Sequence, residues 1–135
     1  MRLAGLILAL LLAACGSRSV SVTPMGQKIA IKEQNLVAGG TDTVRFGRMH
    51  SGEIAVLPLL LENKTQQPLV VTHYERTCGC TTLDYENQPI KVDGLLPARL
   101  TFDARGMQGW QFKLLTIHLA GLSTPLRIYI EAEVE

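Results

Sequence analysis

The 135-residue chain has no surplus of charge of either sign, with 13 Lys and Arg set against 12 Asp and Glu. Without a basic excess there is little to gather phosphates by counterion release, which argues against nucleic acid as a partner. Cysteine is scarce: three residues, of which only two lie close together, fall short of the four donors a structural zinc site takes. No G-x-S-x-G elbow, H-E-x-x-H pair or Walker A loop occurs, so the common catalytic sets are missing. Long apolar runs are also lacking. The longest, from Leu3 to Leu12, rises only about 15 Å as a helix, half of the roughly 30 Å of hydrocarbon that a spanning helix must cross. What remains fits one small domain with an N-terminal appendage.

That appendage opens MRLAGLILALLLAAC: one Arg, an apolar stretch, then Ala13 and Ala14 ahead of Cys15. The run reads as a signal h-region, and residues 1–14 as a lipoprotein signal peptide. Leu12, Ala13, Ala14 and Cys15 resemble the bacterial lipobox, which implies that the Cys15 thiol is acylated and becomes the new N-terminus. A single acyl chain holds a protein only marginally, whereas two or more, at about 0.8 kcal/mol per buried CH₂, anchor it stably. Loss of Arg2 with the signal leaves basic and acidic residues in equal number. No carboxylate follows Cys15 directly, so by analogy with sorting signals the expected location is the cell envelope, lipid-anchored in the outer membrane and facing the periplasm. Residues 15–41 then read as the lipidated cysteine and a tether, with Lys28, Ile29, Ala30, Ile31 and Lys32 alternating as an extra edge strand.

From residue 42 onward, short apolar runs alternate with turn signals and no 3.6-residue period appears, so residues 42–135 are expected to be all-β. The last ten residues alternate most clearly, with Leu126, Ile128, Ile130, Ala132 and Val134 apolar and charged residues at nearly every position between them. Leu115, Ile117 and Leu119 form one face of a preceding strand over residues 112–119, and the two should pair as a hairpin through residues 120–125. Further strands are expected at residues 43–46, 55–61, 69–74 and 98–102. Pro58 places an edge or bulge in the second of these. About seven strands without helices predict an immunoglobulin-like β-sandwich.

At this point a set of short motifs carries a resemblance: Phe46-Gly47, Gly52-Glu53, Glu62-Asn63, the PLVV that starts at Pro68, the CGCT that starts at Cys78, Pro89-Ile90, Thr101-Phe102-Asp103, and Gly106 with Gly109. In this order they resemble the bacterial extracytoplasmic family known as domain of unknown function 1573, itself similar to PapD-like and major-sperm-protein-like modules. The resemblance covers nearly all of the mature domain and implies an immunoglobulin-like fold and an extracytoplasmic site, with no reaction attached. The chain departs from the family pattern in two turns, at Asn63-Lys64-Thr65 and at Lys91-Val92-Asp93-Gly94. Both changes bear on loop shape more than on fold.

Chemistry is concentrated at Cys78-Gly79-Cys80, with Arg76 beside it and His73 five residues before. Three readings stand together. In an oxidising compartment the cysteines could form a small strained disulfide suited to exchange or redox sensing, with Arg76 favouring a thiolate. Two thiolates could instead hold copper or another soft metal, with His73 or His118 as a third ligand. Or the glycine makes a tight bend that the cysteines brace. Elsewhere His50 reads as a solvated turn residue, His118 as lying on the wet face of its strand, and Asp103 with Arg105 as a corner ion pair. Trp110, the sole tryptophan, sits among glycines, and with Met107 it is a candidate partner-binding patch. The expectation is a lipid-anchored binding or scaffolding module without catalysis or cofactor, touching the membrane through Cys15 and an envelope protein through its domain. A thiol redox or copper-handling role at Cys78 and Cys80 is the alternative.

Overall fold

A computed structural model describes residues 25–135; the expected signal peptide, Cys15 and the first part of the expected tether lie outside the described residues. In chain order the elements are β1 (Gln27–Lys32), α1 (Glu33–Ala38), β2 (Gly40–Met49), β3 (Ile54–Lys64), β4 (Val71–Arg76), β5 (Thr81–Tyr85), β6 (Leu95–Asp103), β7 (Gly109–Leu119) and β8 (Leu126–Val134). They form two four-stranded sheets, ordered β1-β3-β6-β5 and β2-β8-β7-β4. The molecule is thus the expected immunoglobulin-like β-sandwich, with eight strands described.

Alternation explains why the two sheets face each other. In β8 the side chains of Leu126, Ile128, Ile130, Ala132 and Val134 are all buried, and in β7 those of Leu115, Ile117 and Leu119 join them. From the other sheet, Ile29, Ile31, Leu59, Leu61, Leu96, Leu100 and Phe102 enter the same core. Full burial of each large aliphatic side chain contributes roughly 1.5–3 kcal/mol before ordering costs. Phe46 closes one side of this core, its ring 5.5 Å from that of Phe102. The β7-β8 hairpin pairs in antiparallel register from Gly109↔Val134 to Ile117↔Leu126.

The folded unit reaches back beyond residue 42. β1 pairs in parallel with β3 from Gln27↔Leu59 to Lys32↔Lys64, and its Ile29 and Ile31 are buried. β2 starts at Gly40 and pairs in parallel with β8, with a bulge between Arg45 and Gly47 where Gly47 supplies a φ of 73°. Pro58 lies one residue before the stretch of β3 that β1 covers, so its missing N–H costs no bond to β1. The short helix α1 departs from the helix-free expectation. Six residues are too few to show a helical period, and tertiary contacts hold the turn: Asn35 accepts from the Lys32 N–H (2.7 Å) and donates to Gly39 O (3.1 Å), while Thr124 Oγ1 donates to Val37 O (3.1 Å).

The turns at which the chain departs from the family pattern are internally bonded. Asn63 is fully buried; its amide donates to Gln67 O (2.8 Å) and Ile90 O (2.9 Å), and its carbonyl oxygen accepts from Thr65 N (2.9 Å) and Thr65 Oγ1 (2.7 Å). The backbone of Asn63 also ties down the second turn, donating to Gly94 O and accepting from Asp93 N. One asparagine therefore fastens the end of β3 to two loops.

Candidate functional site

The sheet β2-β8-β7-β4 turns its second face outward, and the residues of β7 on that face are Trp110, Phe112, Leu114, Thr116 and His118. Trp110 belongs to strand β7 and not to a loop, and it is 63% exposed; Phe112 is 54% exposed. The Phe112 ring stacks on Tyr129 of β8 at 5.2 Å between centroids, tilted by 18°. Around Trp110 a shallow cleft of about 110 Å³ is lined by Arg45, Arg48, Glu131 and Glu133. These charges pair among themselves, Arg45 Nε with Glu131 Oε2 at 3.1 Å and Arg48 with Glu133 at 3.6 Å and Glu135 at 3.4 Å. Exposed pairs of this kind add little stability, about 0–1 kcal/mol each, and serve mainly as a polar rim. Met107, the partner suggested for Trp110, packs half-buried against the core, so the exposed companion of Trp110 is Phe112, backed by the half-buried Tyr129. The every-other-residue spacing of Trp110, Phe112 and Leu114, set off by one from Leu115, Ile117 and Leu119, was the signal that places Trp110 on the strand.

β7 is also only partly covered at its edge. β4 pairs with it from Arg76↔Leu115 to Val71↔Leu119, and Thr77 N donates to Leu114 O (3.0 Å) as the last contact of that side. Among the described residues no strand pairs with residues 109–113 of β7 on the side away from β8. The aromatic pair thus stands beside a stretch of open sheet edge.

At the other end of the same face, β4 carries a bulge between Val71 and His73. Without it, Val71 inward would place His73 inward too. The extra residue at Thr72 turns His73 and Glu75 outward and sends Tyr74 inward, where its hydroxyl accepts from Leu83 N (3.2 Å). His73 then sits opposite His118, the two imidazoles stacked at 4.3 Å and 6°. Glu75 Oε2 lies 3.3 Å from His118 Nε2.

Cys78 and Cys80 are joined to each other in a disulfide, in the short crossing that carries the chain from β4 in one sheet to β5 in the other. Its carbonyls are engaged: Cys80 O accepts from Asp103 N (2.8 Å), and Cys78 O from Thr81 Oγ1 (3.3 Å). The Arg76 guanidinium donates to Thr81 O (2.8 Å) and Thr82 Oγ1 (3.1 Å), bridging the two sheets. With both sulfurs in one bond, neither is a thiolate ligand, and the side chains gathered around His73 are His118 and Glu75. His50 stays in its exposed turn, its N–H donating to Glu53 Oε2 (2.9 Å). Arg105 grips Asp103 through Nε and Nη2, at 2.9 and 2.6 Å, and this hydrogen bonding holds the Asp103 carboxyl below the usual carboxylate range. Cys15, the lipidation candidate, lies outside the described residues. A cleft of about 470 Å³ lies on the opposite sheet over Pro58, Pro97 and Arg99, and neither His nor Cys lines it.

The family described as "Protein of unknown function (DUF1573)" matches residues 37–134. Among solved structures, a protein of unknown function from Porphyromonas gingivalis W83 is similar at 20% identity and a TM-score of 0.58, covering 75% of this chain and 50% of that one. The secreted serine protease VesC from Vibrio cholerae is similar at 8% identity and a TM-score of 0.51, covering 67% of this chain and 21% of that one. The chain therefore spans half the length of the first and about a fifth of the second, and at these identities the likeness concerns the fold alone. No curated protein matches the sequence.

Proposed function

The chain belongs to the DUF1573 family, and from that premise we propose that it is a lipid-anchored binding module of the bacterial envelope, without catalysis, that docks an envelope protein partner. Acylated Cys15 holds it to the outer membrane on the periplasmic side, and the tether presents the sandwich to the partner. The observation that carries the reading is the exposed Trp110 and Phe112 beside the uncovered edge of β7. An extended segment of the partner adds there as a strand, continuing the line of β4. Its main chain bonds to residues 109–113, and its side chains pack on the two aromatic rings. Aromatic side chains ringed by charged ones have the make-up of an interface centre with its polar rim.

The test is affinity purification of the acylated full chain from envelope extracts, alongside a W110S/F112S double variant. Expected is a stoichiometric envelope protein retained by the parent chain and lost by the variant, with identical far-ultraviolet circular dichroism. Recovery of no stoichiometric partner, or its equal retention by the variant, refutes the reading. A Cys15→Ser chain should leave the membrane fraction and carry no palmitate label; if it stays membrane-bound, the anchoring part falls.

A further inference from the structure

The bulge in β4 gathers two imidazoles and a carboxylate on the outer face of the sheet, and neither the docking reading nor the cysteine loop uses them. We propose that His73, His118 and Glu75 form a Zn²⁺ site. Each offers one donor atom, and the three atoms lie within 4.8 Å of one another. A tetrahedral ion with ligands at about 2.0–2.1 Å sets neighbouring ligand atoms roughly 3.3–3.5 Å apart. The pair His118 Nε2 and Glu75 Oε2, at 3.3 Å, already has that separation. Only His73 must close further, and as an exposed side chain on an edge strand it has the freedom to tilt out of its stack on His118.

The hydrogen bonds around His73 prepare it for this role. The Thr72 hydroxyl has a single proton, and it lies 3.2 Å from the carbonyl oxygen of His118, which can only accept. Thr72 Oγ1 therefore donates to that carbonyl and is an acceptor toward His73 Nδ1, 3.0 Å away. This assigns the His73 proton to Nδ1 and leaves the Nε2 lone pair free for a metal. Orientation of a ligating histidine through its other ring nitrogen is the usual outer support of such sites. Two imidazoles and one carboxylate are the donor set of a three-ligand zinc centre, which leaves a fourth position for water on this solvent-facing surface. Nitrogen donors select against Mg²⁺ and Ca²⁺, which prefer oxygen. The disulfide-bonded sulfurs take no part.

Calorimetric titration of the full chain with ZnCl₂, in a buffer that does not bind the metal, tests the site. Expected is one equivalent of Zn²⁺ per chain, retained in a hundredfold excess of Mg²⁺. His73→Ala and His118→Gln should each weaken binding at least tenfold, Thr72→Val about tenfold through the lost orientation, and His50→Ala not at all. Substituted Co²⁺ should give the visible bands of a four-coordinate nitrogen and oxygen site, lost in His73→Ala. Since His73 and Thr72 are exposed, their variants should keep the parent circular dichroism. Absence of saturable Zn²⁺ binding overturns the proposal, as does an affinity unchanged in His73→Ala, or one lost equally in His50→Ala.

Discussion

Asn63 is the residue whose replacement should reveal most about how the sandwich is held. In Asn63→Ala the bonds from its amide to Gln67 O and Ile90 O disappear, but neither carbonyl is left bare. Gln67 O can take the Thr65 hydroxyl, 3.0 Å away and released from Asn63 Oδ1, and Ile90 O keeps the Leu69 N–H at 3.0 Å. The Thr65 N–H is different, because its partner is Asn63 Oδ1 and Thr65 is only 2% exposed. One orphaned buried donor costs about 1–3 kcal/mol, and the two lost bonds add about 0.5–1.5 kcal/mol each, so with partial relaxation the expected loss is about 2–4 kcal/mol. Asn63→Asp keeps the shape and the acceptor but sets a carboxylate oxygen against two carbonyl oxygens. Burial and these neighbours raise the folded-state pKa of the new carboxyl, so its penalty is full above that raised value, shrinks as pH falls through it and is gone below the unfolded value near 3.9. Urea unfolding followed by circular dichroism at neutral and acidic pH measures both. A loss below 1 kcal/mol for Asn63→Ala, or an Asn63→Asp penalty that does not diminish with acid, would refute the reasoning.

Replacing both Cys78 and Cys80 by Ser opens a loop of only three residues, so the chain-entropy loss is about 1.5 kcal/mol, and urea midpoints should fall by no more than that allows; a failure to fold would mean the bond does more than brace. Gly39 has a φ of 73°, and a Cβ there would meet Pro125 O at 2.8 Å, so Gly39→Ala should cost about 1–3 kcal/mol in thermal unfolding, and a neutral result would refute that close approach. Arg105 depresses the Asp103 pKa, so the pair contributes stability above the unfolded carboxyl pKa and loses it as pH falls through the folded value. Arg105→Ala should move the Asp103 titration upward in a carbon-detected NMR experiment, and an unmoved curve would deny the contact.

The fold was legible wherever one face of a strand is dry. Alternation in β8 and in the last part of β7 reports burial directly, and both strands and their hairpin lie where that pattern puts them. The motif order identified the family because its short pieces mark turns and strand ends, such as Asn63 and the crossing at Cys78. The site was harder to read for two physical reasons. Before residue 115, β7 runs past the cover of β4 and its inward positions are Gln111 and Lys113, so the apolar alternation that marks a strand fades just where Trp110 stands. In β4 the bulge at Thr72 breaks the period of two, so no alternation rule could place His73 and Glu75 on the face of His118. His73 was legible as a donor by residue type alone, and the sequence neighbourhood pointed it at the cysteines. The parallel pairings of β1 with β3 and β2 with β8 join segments far apart in the chain, which local pattern does not record.

The two features of the outer face share one strand but not one place. Trp110 and His118 are eight residues apart on β7, and at about 3.3 Å per residue they stand roughly 26 Å from each other. That is well beyond the 7–10 Å over which side chains couple directly. A segment adding to the open edge at residues 109–113 stops where β4 begins, because β4 occupies the same flank of β7 from Leu115 onward. The His73, His118 and Glu75 cluster lies on the covered stretch, so strand addition cannot bury it; only a partner broad enough to lie across the whole face could reach both. The end of β4 therefore divides β7 into a length that offers backbone to a partner and a length that offers imidazole and carboxylate to an ion. The boundary falls at Thr77 and Leu114, where the chain leaves β4 for the Cys78-Cys80 crossing.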